Sequence, residues 1–96
     1  MPKYQLLIRG ENFLIQAEGK IEKFGFYTSR WVEATSPTEG EKSVIELIKQ
    51  DSSLKGVILN PERDPPVLYV EEINEIESFA GVDPPGSGYS FFAEKE

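Results

Sequence analysis

Ser36-Pro37-Thr38-Glu39-Gly40-Glu41-Lys42-Ser43-Val44-Ile45-Glu46-Leu47-Ile48-Lys49 is the stretch on which the reading of the fold turns. Serine at the N-cap accepts a hydrogen bond from an orphaned amide of the first turn. Proline suits the first helical position, and glutamate three residues past the cap completes a capping box. Beyond it Val44, Leu47 and Ile48, with Ile45 at the margin, recur at helical spacing as one apolar stripe. Gly40 falls on the same stripe. Glycine inside a helix costs about 1 kcal/mol against alanine, so its use here is close approach to the surface the helix covers. Early Glu39 and Glu41 and late Lys49 match the helix dipole. The spacing predicts one helix from Pro37 to about Asp51.

Upstream, residues 4–9 and 12–17 flank Gly10-Glu11, and glycine in the first central position suits a type II′ hairpin turn. That register pairs Ile8 with Phe13, Leu6 with Ile15 and Tyr4 with Ala17 on one apolar face. The other face receives Arg9 with Asn12, Leu7 with Leu14, and Gln5 with Gln16. Glu18-Gly19-Lys20 reads as the next turn and residues 24–35 as a long third strand. In it Phe24, Phe26, Val32 and Ala34 share a parity with Thr28 and Arg30, while Tyr27 and Trp31 share the other. Either Arg30 points toward the core and needs a partner, or a bulge switches the parity.

Downstream, Asp51-Ser52-Ser53 ends the helix, and Val57-Ile58-Leu59 is a short strand or buried connector. Asn60-Pro61-Glu62-Arg63-Asp64-Pro65-Pro66 is a loop. Residues 67–78 form a long strand with a bulge near Glu71-Glu72, because Leu68 and Val70 share a parity that Ile73 breaks. The segment from about 80 to 96 is either a docked edge segment or a partly mobile tail. The expectation is a single α+β domain over residues 1–96. It has a four- to five-stranded antiparallel sheet with one helix on one face, in the order β-β-β-α-β-β.

Composition limits the function classes. The chain has 96 residues, no cysteine and no histidine, and a formal charge of −7. Residues 1–48 hold 6 basic and 7 acidic side chains and residues 49–96 hold 4 basic and 10 acidic, so the charge sits in the second half. Such a surface repels phosphate backbones and anionic membranes within about 8–10 Å in physiological salt, which disfavours nucleic-acid and membrane partners. No apolar run approaches the roughly 18 residues of a membrane span, and no signal peptide is evident, so a cytoplasmic location is expected.

Without histidine or cysteine, the commonest general base, the thiolate nucleophile and most transition-metal sites are missing. Glu71, Glu72, Glu75 and Glu77 offer oxygen ligands for a hard cation, but a solvated strand that resists edge-to-edge aggregation accounts for them better. Gly86-Ser87-Gly88 lacks the strand and helix that frame a phosphate cradle and reads as a flexible loop. No catalytic residue, cofactor or metal is therefore assigned. Arg63 and Asp64 are candidate functional residues because they stand in a proline-braced loop. Leu7, Leu14, Tyr27 and Trp31 form the candidate interaction surface, on the sheet face that one helix cannot cover. Either a partner covers them, or the C-terminal tail folds back and Phe91 or Phe92 does.

Gly25-Phe26-Tyr27-Thr28, Val32-Glu33-Ala34 before the Ser36-to-Glu39 cap, and Pro65-Pro66 followed by Tyr69-Val70-Glu71-Glu72-Ile73 resemble a small bacterial family of uncharacterised proteins. That resemblance implies no activity. Three strands followed by a helix opened by acidic residues also resemble antitoxin domains of the HicB type. Their glycine-rich aromatic second strand and appended DNA-binding segment are missing here, so no functional residue carries over. The first expectation is a non-enzymatic cytoplasmic interaction domain that self-associates as a homodimer. One alternative is a regulatory binder resembling an antitoxin, with a basic protein as partner. The other is an enzyme dependent on carboxylates or a divalent cation.

Overall fold

Side-chain parity along the first strand is compatible with two ways of pairing the sheet. In the computed structural model, which describes residues 1–94, β1 (Lys3–Ala17) is one continuous strand rather than a hairpin turning at Gly10-Glu11. Tyr4, Leu6 and Ile8 are buried ahead of that point and Phe13 and Ile15 after it, so both apolar sets do face the same way. A bulge achieves this. Asn12 takes φ 61°, and the pairing register slips between Gly10 and Phe13. A two-residue turn and a one-residue bulge both flip parity, so the same apolar pattern suits either. The pairs Ile8–Phe13, Leu6–Ile15 and Tyr4–Ala17 do not form.

The first true hairpin turns at Glu18-Gly19, whose φ values of 52° and 78° are the two left-handed conformations a type I′ turn requires. It leads into β2 (Lys20–Glu33), which pairs antiparallel with β1. β2 keeps its inner parity throughout, so Arg30 does point into the core, 3 % exposed. Its Nη1 donates to the Thr28 hydroxyl and to the Ser29 carbonyl at 2.8 Å, and its guanidinium lies 5.0 Å from the Tyr89 ring centroid. Those partners meet the need that a buried cation creates.

α1 (Pro37–Lys49) starts as the sequence predicts, with the Ser36 hydroxyl accepting from the Glu39 amide at 3.2 Å. Gly40, Val44 and Ile48 are buried, Ile45 is half-buried, and Leu47 points outward. Leu47 thus leaves the predicted stripe, because the buried face is narrower than the run of apolar residues. A Cβ at Gly40 would lie 3.5 Å from the Tyr4 ring, an ordinary contact distance, so the helix packs on the sheet there but not closely enough to require glycine. Asp51 does not end α1. It caps a second short helix, α2 (Ser52–Lys55), whose Leu54 is buried.

Residues 57–59 form no separate strand, although Ile58 makes a single bridge to Ile15. β3 (Val67–Ile76) pairs with β1 and carries the predicted bulge, with the register slipping so that Leu7 faces Glu72 while Ile8 faces Val70. β4 (Ser90–Ala93) pairs with β2, so the C-terminal segment is a docked edge. Lys95 and Glu96, at the end of that segment, lie outside the described residues. The element order is β-β-α-α-β-β, not β-β-β-α-β-β. Four antiparallel strands lie in the order β3-β1-β2-β4.

The core fills the space between the sheet's inner face and the two helices. Its centre is Phe26, fully buried, with ring centroids of Tyr89 at 4.8 Å, Phe13 at 4.9 Å and Phe91 at 5.7 Å. Tilted and edge-on rings at such separations add about 0.5–1.5 kcal/mol per pair beyond the area they bury.

Candidate functional site on the outer sheet face

Alternation sends the remaining side chains of each strand to the face opposite the helices. There Arg9 of β1 stands between two tyrosines, because the register pairs it with Tyr27 of β2 and Tyr69 of β3. Its guanidinium lies 4.3 Å from the Tyr69 ring centroid and donates to the carboxylates of Glu71 and Glu11. The bond to Glu71 leads the effects that hold the Arg9 pKa above its ordinary value. The cation is thus neutralised in place, stacked on the Tyr69 ring. Phe92 of β4 extends the row. Its ring packs on Gly25, where a Cβ would come within 2.4 Å, and lies 5.8 Å from the Tyr27 ring. Tyr69, Tyr27 and Phe92 are each about two-fifths exposed.

Beside this row lies a shallow hollow of ≈ 390 Å³, lined by Leu7, Tyr27, Ser29, Trp31, Ser87 and Ser90. Leu7 faces Ser29 across the strands, which sets it diagonally between Tyr27 and Trp31. Three of the four residues in the expected interaction surface are therefore brought together. Leu14 is not among them. It follows Leu7 by seven positions on one strand, roughly 23 Å of extended chain. There it faces Lys23, and its amide donates to the Asn60 side chain at 2.8 Å.

The C-terminal segment covers part of this face. The Trp31 amide donates to the Pro85 carbonyl at 3.0 Å, and Gly86 lies so close to the indole that a Cβ there would come within 2.9 Å. The Thr28 hydroxyl donates to the Gly88 carbonyl at 2.7 Å. Tyr89 then donates to the Asp51 carboxylate at 2.6 Å. Trp31 is half-buried under this strap, while Tyr27 stays 43 % exposed with Phe92 against it. Tail cover and free surface thus divide the patch between them.

Arg63 and Asp64 do not form a site together. Asp64 accepts from the Asn12 side chain at 2.9 Å, and its carbonyl accepts from the Asn60 side chain at 3.0 Å. Asn60 also donates to the Asn12 carbonyl at 2.8 Å. The loop therefore braces the β1 bulge, and Arg63 is simply exposed. Among the described residues no three acidic side chains converge as metal ligands, and no helix is long and apolar enough to cross a membrane.

The Arg9–Tyr69 stack and the place of Phe92 escaped sequence reasoning. The parity of Arg9 with Leu7 was available as a signal, but its partners depend on strand order. Comparison with models of known families, with curated proteins and with solved structures gives no match. What this surface offers chemically is flat aromatic area with a neutralised cation, suited to binding.

Proposed function

We propose that this protein is a small non-enzymatic, cytoplasmic interaction domain that self-associates through the outer face of its sheet. The exposed row Tyr69–Arg9–Tyr27 with Phe92 beside it carries the reading, since tyrosine, phenylalanine and arginine are enriched where interfaces form. A two-fold dimer lays the row against itself, Tyr27 of one copy meeting Tyr69 of the other. The two Arg9 side chains then face each other with their charge already balanced by Glu11 and Glu71. The absence of histidine and cysteine favours binding over catalysis.

The patch is small for a stable interface. Three rings, each about two-fifths exposed, leave roughly 250 Å² open, against about 800 Å² per partner in a standard interface. The surrounding hollow has to contribute, and a weak, reversible dimer is expected. Sedimentation equilibrium tests this. The wild-type chain should show a concentration-dependent dimer, and Tyr27→Glu should be monomeric while still melting cooperatively at a concentration where the wild type is also monomeric. A wild-type monomer at high micromolar concentration overturns the reading.

A further inference from the structure

The helical layer does not close over the inner face from end to end. α1 meets the sheet where Gly40 approaches Tyr4 and Val32, and the single turn of α2 reaches the other end through Leu54. Between α1, α2 and the start of β3 this leaves a cavity of ≈ 340 Å³, walled by Phe13, Ile45, Ile48, Leu54, Ile58 and Leu68. One charged side chain lines it, Lys49, in the last turn of α1. Lys49 is exposed, and the ion pairs found among the described residues are those of Arg9 with Glu11 and Glu71, so its cation is uncommitted. A second hollow on the far side of Leu54, of ≈ 390 Å³, is lined by Ile15, Phe24, Val57 and Phe91 and by no charged side chain.

We propose that the cavity between α1, α2 and β3 binds a medium-length aliphatic chain with an anionic head, the tail filling the hollow and the head pairing with Lys49. The volume falls in the range of small-molecule sites and accommodates about ten close-packed methylene groups. Each methylene taken from water into such a wall improves affinity about fourfold, until the cavity is full. The head is specified locally. A chain of net charge −7 repels anions in general, and the carbonyl end of α1 adds negative partial charge. Only Lys49 makes this mouth receptive to a carboxylate, whereas the second hollow, with the Ser53 and Tyr89 hydroxyls already bonded to Asp51, has no cation to hold an anionic head.

The test is methyl NMR on the full chain, titrated with sodium decanoate below its micelle-forming concentration, with decan-1-ol and with decyltrimethylammonium. Decanoate should give saturable shifts of the Ile45, Ile48, Leu54, Ile58 and Leu68 methyls and bind more tightly than the other two. Octanoate should bind about fifteenfold more weakly than decanoate. Lys49→Glu, at an exposed position, should weaken decanoate about fivefold or more and decan-1-ol less than twofold. Ile45→Trp, which fills the cavity, should weaken decanoate at least tenfold. Absence of saturable shifts overturns the proposal, as do shifts confined to Val57 or to Leu7 on the outer face. Tighter binding of the cationic amphiphile, or a Lys49→Glu chain that keeps its preference for decanoate, overturns it too. The cavity and the self-association face lie on opposite sides of the sheet, so either reading can fail alone.

Discussion

Removing the Tyr89 hydroxyl should loosen the strap over Trp31 and cost a measurable share of stability. Tyr89 donates to one oxygen of Asp51 at 2.6 Å, while the other oxygen accepts from the Ser53 amide at 2.9 Å and the Ser53 hydroxyl at 2.8 Å. The bond from Tyr89 is the main reason the Asp51 carboxyl sits below its usual pKa range. Burial first, and then that bond, push the Tyr89 phenol up to about 12. A hydrogen bond to a charged acceptor contributes about 1.5–3 kcal/mol when buried, and this one is partly open to solvent, so Tyr89→Phe should destabilise by about 1–1.5 kcal/mol. Asp51→Asn, which keeps a good α2 cap but removes the charged acceptor, should cost about as much, with a coupling between the two of about 1 kcal/mol.

The coupling has a defined pH window. Asp51 has a lowered folded pKa, so its contribution is present above the unfolded value of 3.8 and is lost as pH falls through the folded value. Tyr89 has a raised one, so its contribution is present below 10.0 and is lost as pH climbs toward about 12. Denaturant melts of the four chains at pH 7 measure the coupling, and repeats at acid and alkaline pH should show it shrink at both ends. Hydrogen exchange at the Trp31 amide, bonded to Pro85 in the strap, should quicken in Tyr89→Phe. A coupling under about 0.3 kcal/mol at pH 7, or one that grows in acid, refutes the latch.

At Gly40 a methyl meets Tyr4 at an ordinary 3.5 Å, so Gly40→Ala should stabilise by about 0.5–1 kcal/mol in denaturant melts while Gly40→Leu, which overfills the gap, destabilises by about 1–3 kcal/mol. Asn60→Ala removes the side chain that bonds the Leu14 amide, the Asn12 carbonyl and the Asp64 carbonyl, so a loss of about 2–3 kcal/mol by the same melts is expected, with faster exchange at the Leu14 amide.

Local chemistry is what the sequence states most clearly. The Ser36 cap, the start of α1 at Pro37 and the Glu18-Gly19 turn lie within one or two residues of where the sequence puts them. Each depends on neighbours in the chain: an orphan amide and the hydroxyl that reaches it, or a left-handed pair and the glycine that permits it. The bulge in β3 was legible for the same reason, since Leu68, Val70 and Ile73 record the parity slip directly. Of the candidate surface, Leu7, Tyr27 and Trp31 were readable as outward-facing because alternation is a property of single strands.

Tertiary structure decided whatever depends on which strand lies beside which. The slip at Gly10–Asn12 has the same apolar signature as a hairpin turn, and only the partners separate the two. Lys20–Glu33 and Val67–Ile76 occupy both edges of β1, and Asn60 and Asp64 hold the bulge between them. That choice carried Leu14 away from Leu7 and set Arg9 between Tyr27 and Tyr69. Arg30 turns inward with the help of a loop some 58 residues later, whose Gly88 carbonyl and Tyr89 ring join Thr28 and Ser29 as its partners. Side-chain parity and capping act over a few residues and are written in the sequence, whereas pairing between distant segments is settled by how much apolar surface all of them bury together.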